Sequence, residues 1–161
     1  MANNNDVAAA VAGLFDAVTA DEARDLEGIA RALERIRGRR IEIVDADDLP
    51  AGVCGRWEHG VTHDVVTIRR GLPSRTWTLA HELGHVTLRH PGRAVSDAML
   101  MSVASGSLVQ YMLNRSASDD PEADWQEEEA ERFAGLLMAR IRHSSRAAAP
   151  SVMARLTDTF G

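Results

Sequence analysis

The chain has 161 residues, 45% of them hydrophobic, which fits one soluble globular domain; with 4% aromatics its core must come mainly from Ala, Leu, Val, Ile and Met. A formal net charge of -6 argues against non-specific nucleic-acid binding, though not against action on a DNA-binding partner. The one cysteine, Cys54, excludes an intrachain disulfide, and no apolar run approaches the roughly 20 residues of a membrane span.

The opening "MANNNDVAAAVAGLFDAVTADEARD" has no basic segment ahead of its short apolar run, so it does not read as a signal peptide, and a cytoplasmic location without membrane contact is expected. Residues 1–5 are polar and expected to fray. From Asp6 to about Arg39 the pattern is helical: Leu26, Ile29, Ala30, Leu33 and Ile36 recur at three- and four-residue spacing, and Gly38 is a natural stop. Three strands follow: Ile41 to Val44, the alternating "GVCGRWEHG", and "HDVVTIRRGLP", with Gly60 and His63 in the turn between the last two. Cys54 is expected to be a small, semi-buried residue of the second strand and not a metal ligand. Ser74 is a candidate N-cap for a helix that stops near Pro91-Gly92. Residues 95–120 join that helix to the next. Their Met, Leu and Val content suits either a lid or docking face, or a plain core helix, with about 115–121 a mobile loop. A strongly amphipathic helix runs from about Glu122 to Arg142, and "APSVMARLTDTFG" reads as a short terminal helix.

The chemistry lies in "AHELGH". His81 and His85, four apart on a helix, share one face and can direct their ring nitrogens at one metal ion. Glu82, rotated by about 100°, cannot easily join them as a ligand but can reach a water held there. Two ligands and a general base on one turn are what a zinc hydrolase needs. Gly84 lets another backbone come close. "HGVTH", His59 to His63, has the same spacing without the Glu and falls in a turn, so no metal is expected there.

A catalytic zinc usually has three protein ligands. The acidic run "DWQEEEAERFAGLLMARI" offers Glu127, Glu128, Glu129 and Glu131. Against the stripe formed by Ala130, Phe133, Ala134, Leu137, Met138 and Ile141, Glu127 lies about 50° from the centre, Glu131 about 90°, Glu129 about 110° and Glu128 about 150°. Only Glu127 points inward, and a buried carboxylate needs a partner or a metal. Glu128 and Glu129 are expected on a solvated face.

With these residues in place the sequence resembles the ImmA/IrrE family of metallopeptidases. The strand followed by "LPSRTWTLAHELGH" is similar to the family's strand, Leu-Pro and Thr-Leu-Ala-His-Glu-x-Gly-His run. "EEEAERFAGLLM" is similar to its Glu-x-x-Ala-Asn/Asp-x-Phe-Ala-x-x-Leu-Leu-Met-Pro helix. Glu131 stands where Asn or Asp is usual, and "LLMAR" lacks the terminal Pro. The resemblance covers about residues 25–140. It implies zinc (Zn2+) held by His81, His85 and, at the matching position, Glu127, with Glu82 catalytic. It also implies a protein substrate, a helix-turn-helix DNA-binding repressor.

The expected fold is therefore α+β: a single small zincin-like domain over residues 1–161, its helices packed around a small three-stranded sheet. The expected activity is that of a zinc endopeptidase in which Glu82 takes a proton from water and passes it to the leaving amine. The strand from Val53 to Trp57 is a candidate edge for a substrate peptide. Tyr111, His90 and His143 are candidate oxyanion donors. The alternative is a zinc-containing module that sequesters a repressor without cutting it. Glu82 favours the enzyme, because metal binding alone does not require it.

Overall fold

The computed structural model describes residues 4–90, 94–96 and 121–148. In chain order these form α1 (Asn4–Ala17), a 3-10 turn (Glu22–Arg24), α2 (Leu26–Arg37), β1 (Ile41–Ala46), β2 (Val53–His59), β3 (Asp64–Arg69), α3 (Arg75–Leu88), β4 (Ala94–Ser96) and α4 (Pro121–Ala148).

The helical pattern read as continuous from Asp6 to Arg39 is two helices. Capping chemistry breaks it where the apolar periodicity does not. Thr19 and Glu22 cap each other, the Thr19 N–H donating to Glu22 Oε2 at 2.8 Å and the Glu22 N–H to Thr19 Oγ1 at 3.2 Å. Asp25, in extended backbone, then accepts from the Gly28 N–H at 2.7 Å and starts α2. Gly38, at φ 62°, ends α2 in the left-handed conformation as expected.

The three expected strands pair as a mixed sheet. β3 is central to them, parallel to β1 and antiparallel to β2. A fourth, three-residue strand was not expected. β4 adds antiparallel to β2, opposite Val53, Gly55 and Arg56. The edge offered above for a substrate peptide is thus paired along most of Val53–Trp57 with the chain's own β4. Helix α3 packs on β2 and β3, and α4 packs along α3 and reaches α1. One apolar cluster joins all of them, with Val7 and Val11 of α1, Ile29 of α2, Val66 and Ile68 of β3, Leu79 and Leu83 of α3, and Phe133 and Leu137 of α4. The remaining residues, including the expected lid (most of 95–120) and the terminal "APSVMARLTDTFG", lie outside those described. Among the described residues no helix is long and apolar enough to cross a membrane.

The start of β3 carries a buried charge. Asp64 is fully buried and accepts from Arg37 and from Arg39 Nε, the latter at 2.6 Å, with His59 Nδ1 at 2.8 Å. Burial would raise its pKa, but the two guanidiniums outweigh this and hold it below 3.8. The pairing is fully present above 3.8 and is lost as pH falls through the lowered value. Asp64→Ala should cost about 3 kcal/mol at pH 7, the low end for breaking a buried pair because the arginines keep some water. Urea unfolding at pH 7 and at pH 3 should show the gap between variant and parent narrowing in acid.

Candidate metal centre

Ser74 occupies the N-cap of α3 as expected, but its side chain makes no capping bond. The helix start is instead tied to β1 by Arg75, whose Nε donates to Asp45 Oδ1 at 2.8 Å. The helix runs only to Leu88. Arg89 then turns left-handed (φ 60°), and the His90 N–H donates back to the His85 carbonyl at 3.0 Å.

Along this helix His81 and His85 point their Nε2 atoms at a common spot, 2.9 Å apart. Glu127 of α4 reaches the same spot, with Oε2 3.2 Å from His81 Nε2 and Oε1 3.5 Å from His85 Nε2. A tetrahedral ion with bonds of about 2.0–2.2 Å holds neighbouring donor atoms about 3.3–3.6 Å apart. The triangle is thus of the size that such an ion spans. Apart from the two histidine nitrogens, the buried Glu127 oxygens have no hydrogen-bond partner, as expected of a carboxylate built to meet a cation. Among the described residues this is the one cluster of three with converging donors.

The groups also set each other's charge. Burial alone would lower His81 and raise Glu127. Their hydrogen-bonded attraction outweighs it, with Glu131 also acting on His81 and His85 on Glu127, taking His81 up to about 9 and Glu127 down to about 2. Burial lowers His85, so it stays neutral at pH 7. Glu82 is fully buried with no side-chain hydrogen-bond partner, and burial, helped by Glu127, outweighs the pull of His81 and of the Trp57 backbone N–H and pushes it up to about 8.

Two close approaches build this site. A Cβ on Gly84 would lie 3.1 Å from the Cα and O of Ala130 and 3.2 Å from Phe133, so α3 and α4 touch there, backbone to backbone. A Cβ on Gly55 would lie 2.7 Å from Glu82 Oε1, so β2 passes directly over the carboxylate. Gly84→Ala gains intrinsic helix propensity but wedges α4 away from α3. A net loss of about 1–2 kcal/mol is expected in chemical denaturation, together with weaker metal binding as Glu127 moves off.

The outer groups differ from expectation. Glu131 supports a histidine: its Oε2 accepts from Trp77 Nε1–H at 3.2 Å and lies 3.4 Å from His81 Nδ1. Glu129 is not on a solvated face. It is 7% exposed, and its Oε2 lies 3.0 Å from His90 Nε2. Helical phase misplaced it because the chain leaving α3 folds His90 over that flank of α4. His90 sits behind the ring of His85, Nδ1 to Nδ1 3.1 Å, so it cannot serve as an oxyanion donor. Burial and the neighbouring His85 press it down to about 4, so it is neutral. His143 is exposed and about 24 Å along α4 from Glu127, by helical rise. Tyr111 lies outside the described residues. His59 and His63 face Asp64 and Glu42. Cys54 is buried against Leu72 and Trp77. The sequence carried no signal for the His90–Glu129 contact, since His90 falls beyond the helix and its periodicity.

The family model of peptidase family M48 matches residues 39–151, the segment holding β1 to β4, α3 and α4. The chain belongs to peptidase family M48. As an M48 member it is a metallopeptidase, and the His-His-Glu triangle is where its metal-dependent chemistry can be housed. The match bears out the metallopeptidase part of the resemblance described above. It is to M48 and does not extend to the ImmA/IrrE type. No curated protein and no solved structure gives a match to this chain.

Proposed function

We propose that this M48 chain is a zinc endopeptidase, with His81, His85 and Glu127 as metal ligands and Glu82 as the general base. The observation that carries this reading is Glu82 itself. It stands one residue from His81, buried, with no side chain in hydrogen-bond contact and only the Trp57 backbone N–H against it, where a metal ligand set alone would have no use for it. A zinc ion in the triangle supplies Lewis acidity, acidifying water and polarising a carbonyl. Glu82, which burial alone favours as the neutral acid, would be ionised beside such a charge. The Glu82 carboxylate then takes the proton of the attacking water at Oε1 or Oε2 and delivers it to the departing amine nitrogen. Glu131 holds His81 by its far nitrogen while this occurs.

The substrate class follows from the likeness of "LPSRTWTLAHELGH" and "EEEAERFAGLLM" to ImmA/IrrE peptidases: a helix-turn-helix repressor, cleaved to release transcription. A cytoplasmic site of action suits such a target. The net charge of -6 is consistent with docking on a basic DNA-binding protein. Zinc-loaded protein incubated with the helix-turn-helix proteins encoded nearby should cut one of them at a single internal bond, seen by mass spectrometry. Intact partners bound tightly but never cut would favour sequestration instead, and neither binding nor cutting would remove the repressor from the reading.

A further inference from the structure

The chain Glu129–His90–His85 extends the candidate metal centre by two residues to which no role has been assigned. His90 is 4% exposed, packs edge-on to Trp125 with ring centroids 5.6 Å apart, and places one nitrogen on each of two partners. A left-handed non-glycine residue holds it there. Arg89 is the one described non-glycine residue with positive φ, a conformation that costs of order 1 kcal/mol and persists where the surroundings demand it.

We infer that His90, anchored by Glu129, is a positioning residue that fixes the ring orientation and tautomer of His85 for metal binding. The tautomers permit one arrangement. His85 must offer the Nε2 lone pair to the triangle, so its proton sits on Nδ1. That N–H donates to His90 Nδ1 at 3.1 Å, which must therefore be the unprotonated nitrogen. The His90 proton is then on Nε2 and donates to Glu129 Oε2 at 3.0 Å. Each donor meets an acceptor, and the carboxylate closes the chain. His81 is held on its own side by Glu131, so both histidines are oriented from behind, one by a single carboxylate and the other through an intervening imidazole.

This inference rests on the reading of His81, His85 and Glu127 as ligands, and the experiment separates the two. Zinc affinity is measured on the full chain by competition with a chromophoric chelator, beside the visible spectrum of the cobalt-loaded protein and the thermal midpoint of the metal-free protein. His90→Phe keeps the ring and its packing on Trp125 but offers no acceptor. It should weaken zinc about 10- to 100-fold and alter the cobalt bands, as loss of a ligand's hydrogen-bond partner does. Glu129→Ala should weaken zinc about tenfold, and Glu129→Gln, whose amide oxygen still accepts from His90, should restore most of that. Zinc affinity within about twofold of the parent in His90→Phe and in Glu129→Ala overturns the inference, whatever happens to the thermal midpoint. Should His90→Phe not fold, the Glu129→Ala and Glu129→Gln pair decides alone, because a merely structural role predicts no rescue of affinity. Unchanged affinity in Glu127→Ala would defeat the ligand reading itself, and this inference with it.

Discussion

Glu82→Gln is expected to lower peptide-bond hydrolysis by at least about 100-fold and by up to about 10^4-fold, the range supplied by a positioned general base. Zinc content should be retained. The substitution keeps the side chain's size and its place under Gly55 while replacing the basic carboxylate with an amide that cannot take up the proton at neutral pH. The carboxylate's present neighbours make the test clean. It has no side-chain partner to lose, and the amide oxygen of Gln can still accept from the Trp57 backbone N–H, so the variant leaves no broken network behind and the thermal midpoint should barely move. The loss should appear in kcat, because the proton transfer belongs to the transition state and not to binding. Equal partner binding and equal biological effect in parent and Glu82→Gln would point to sequestration and against proteolysis.

The second large effect is on metal retention. Glu127→Ala removes one corner of the triangle and should weaken zinc by more than about 100-fold, beyond the loss typical of a partner behind a ligand. Glu128→Ala should leave affinity unchanged, and Glu129→Ala should fall between. A proton competes for the same site. His81 is carried up to about 9, so zinc must displace a proton from it at neutral pH. Apparent affinity in the parent should therefore rise as pH is raised from 6 toward 9. Chelator competition across that range measures it, and a flat profile would contradict the protonation described for His81.

Much of this centre was legible from residue spacing because it is built from helix geometry. His81, Glu82 and His85 share a turn, and the phase of Glu127 against Phe133, Ala134 and Leu137 pointed it inward, where α4 does meet α3. Gly84 was legible as a place of close approach, and Ala130 fills it. The errors have a common cause. The break between α1 and α2 depends on side-chain caps at Thr19, Glu22 and Asp25, which apolar periodicity does not register. The burial of Glu129 and the role of His90 depend on where the chain goes after α3 ends, through a left-handed Arg89 that no local pattern announces. β4 was missed for the same reason, since a three-residue strand exists only because β2 offers it an edge.

The contact between α3 and α4 has a consequence for the life of the chain in the cell. Glu127 lies 42 residues beyond His85 in the sequence, and closing a loop of that length costs about 3 kcal/mol of chain entropy. An ion gripped from both ends acts as a removable cross-link across that loop. By mass action, zinc at a thousand times its dissociation constant adds about 4 kcal/mol to the folded form, enough to offset the closure. A chain starved of metal would then open more often at α4, exposing Phe133 and Leu137 to proteases. Metal supply would thus govern the abundance of the protein through turnover as well as its rate of reaction.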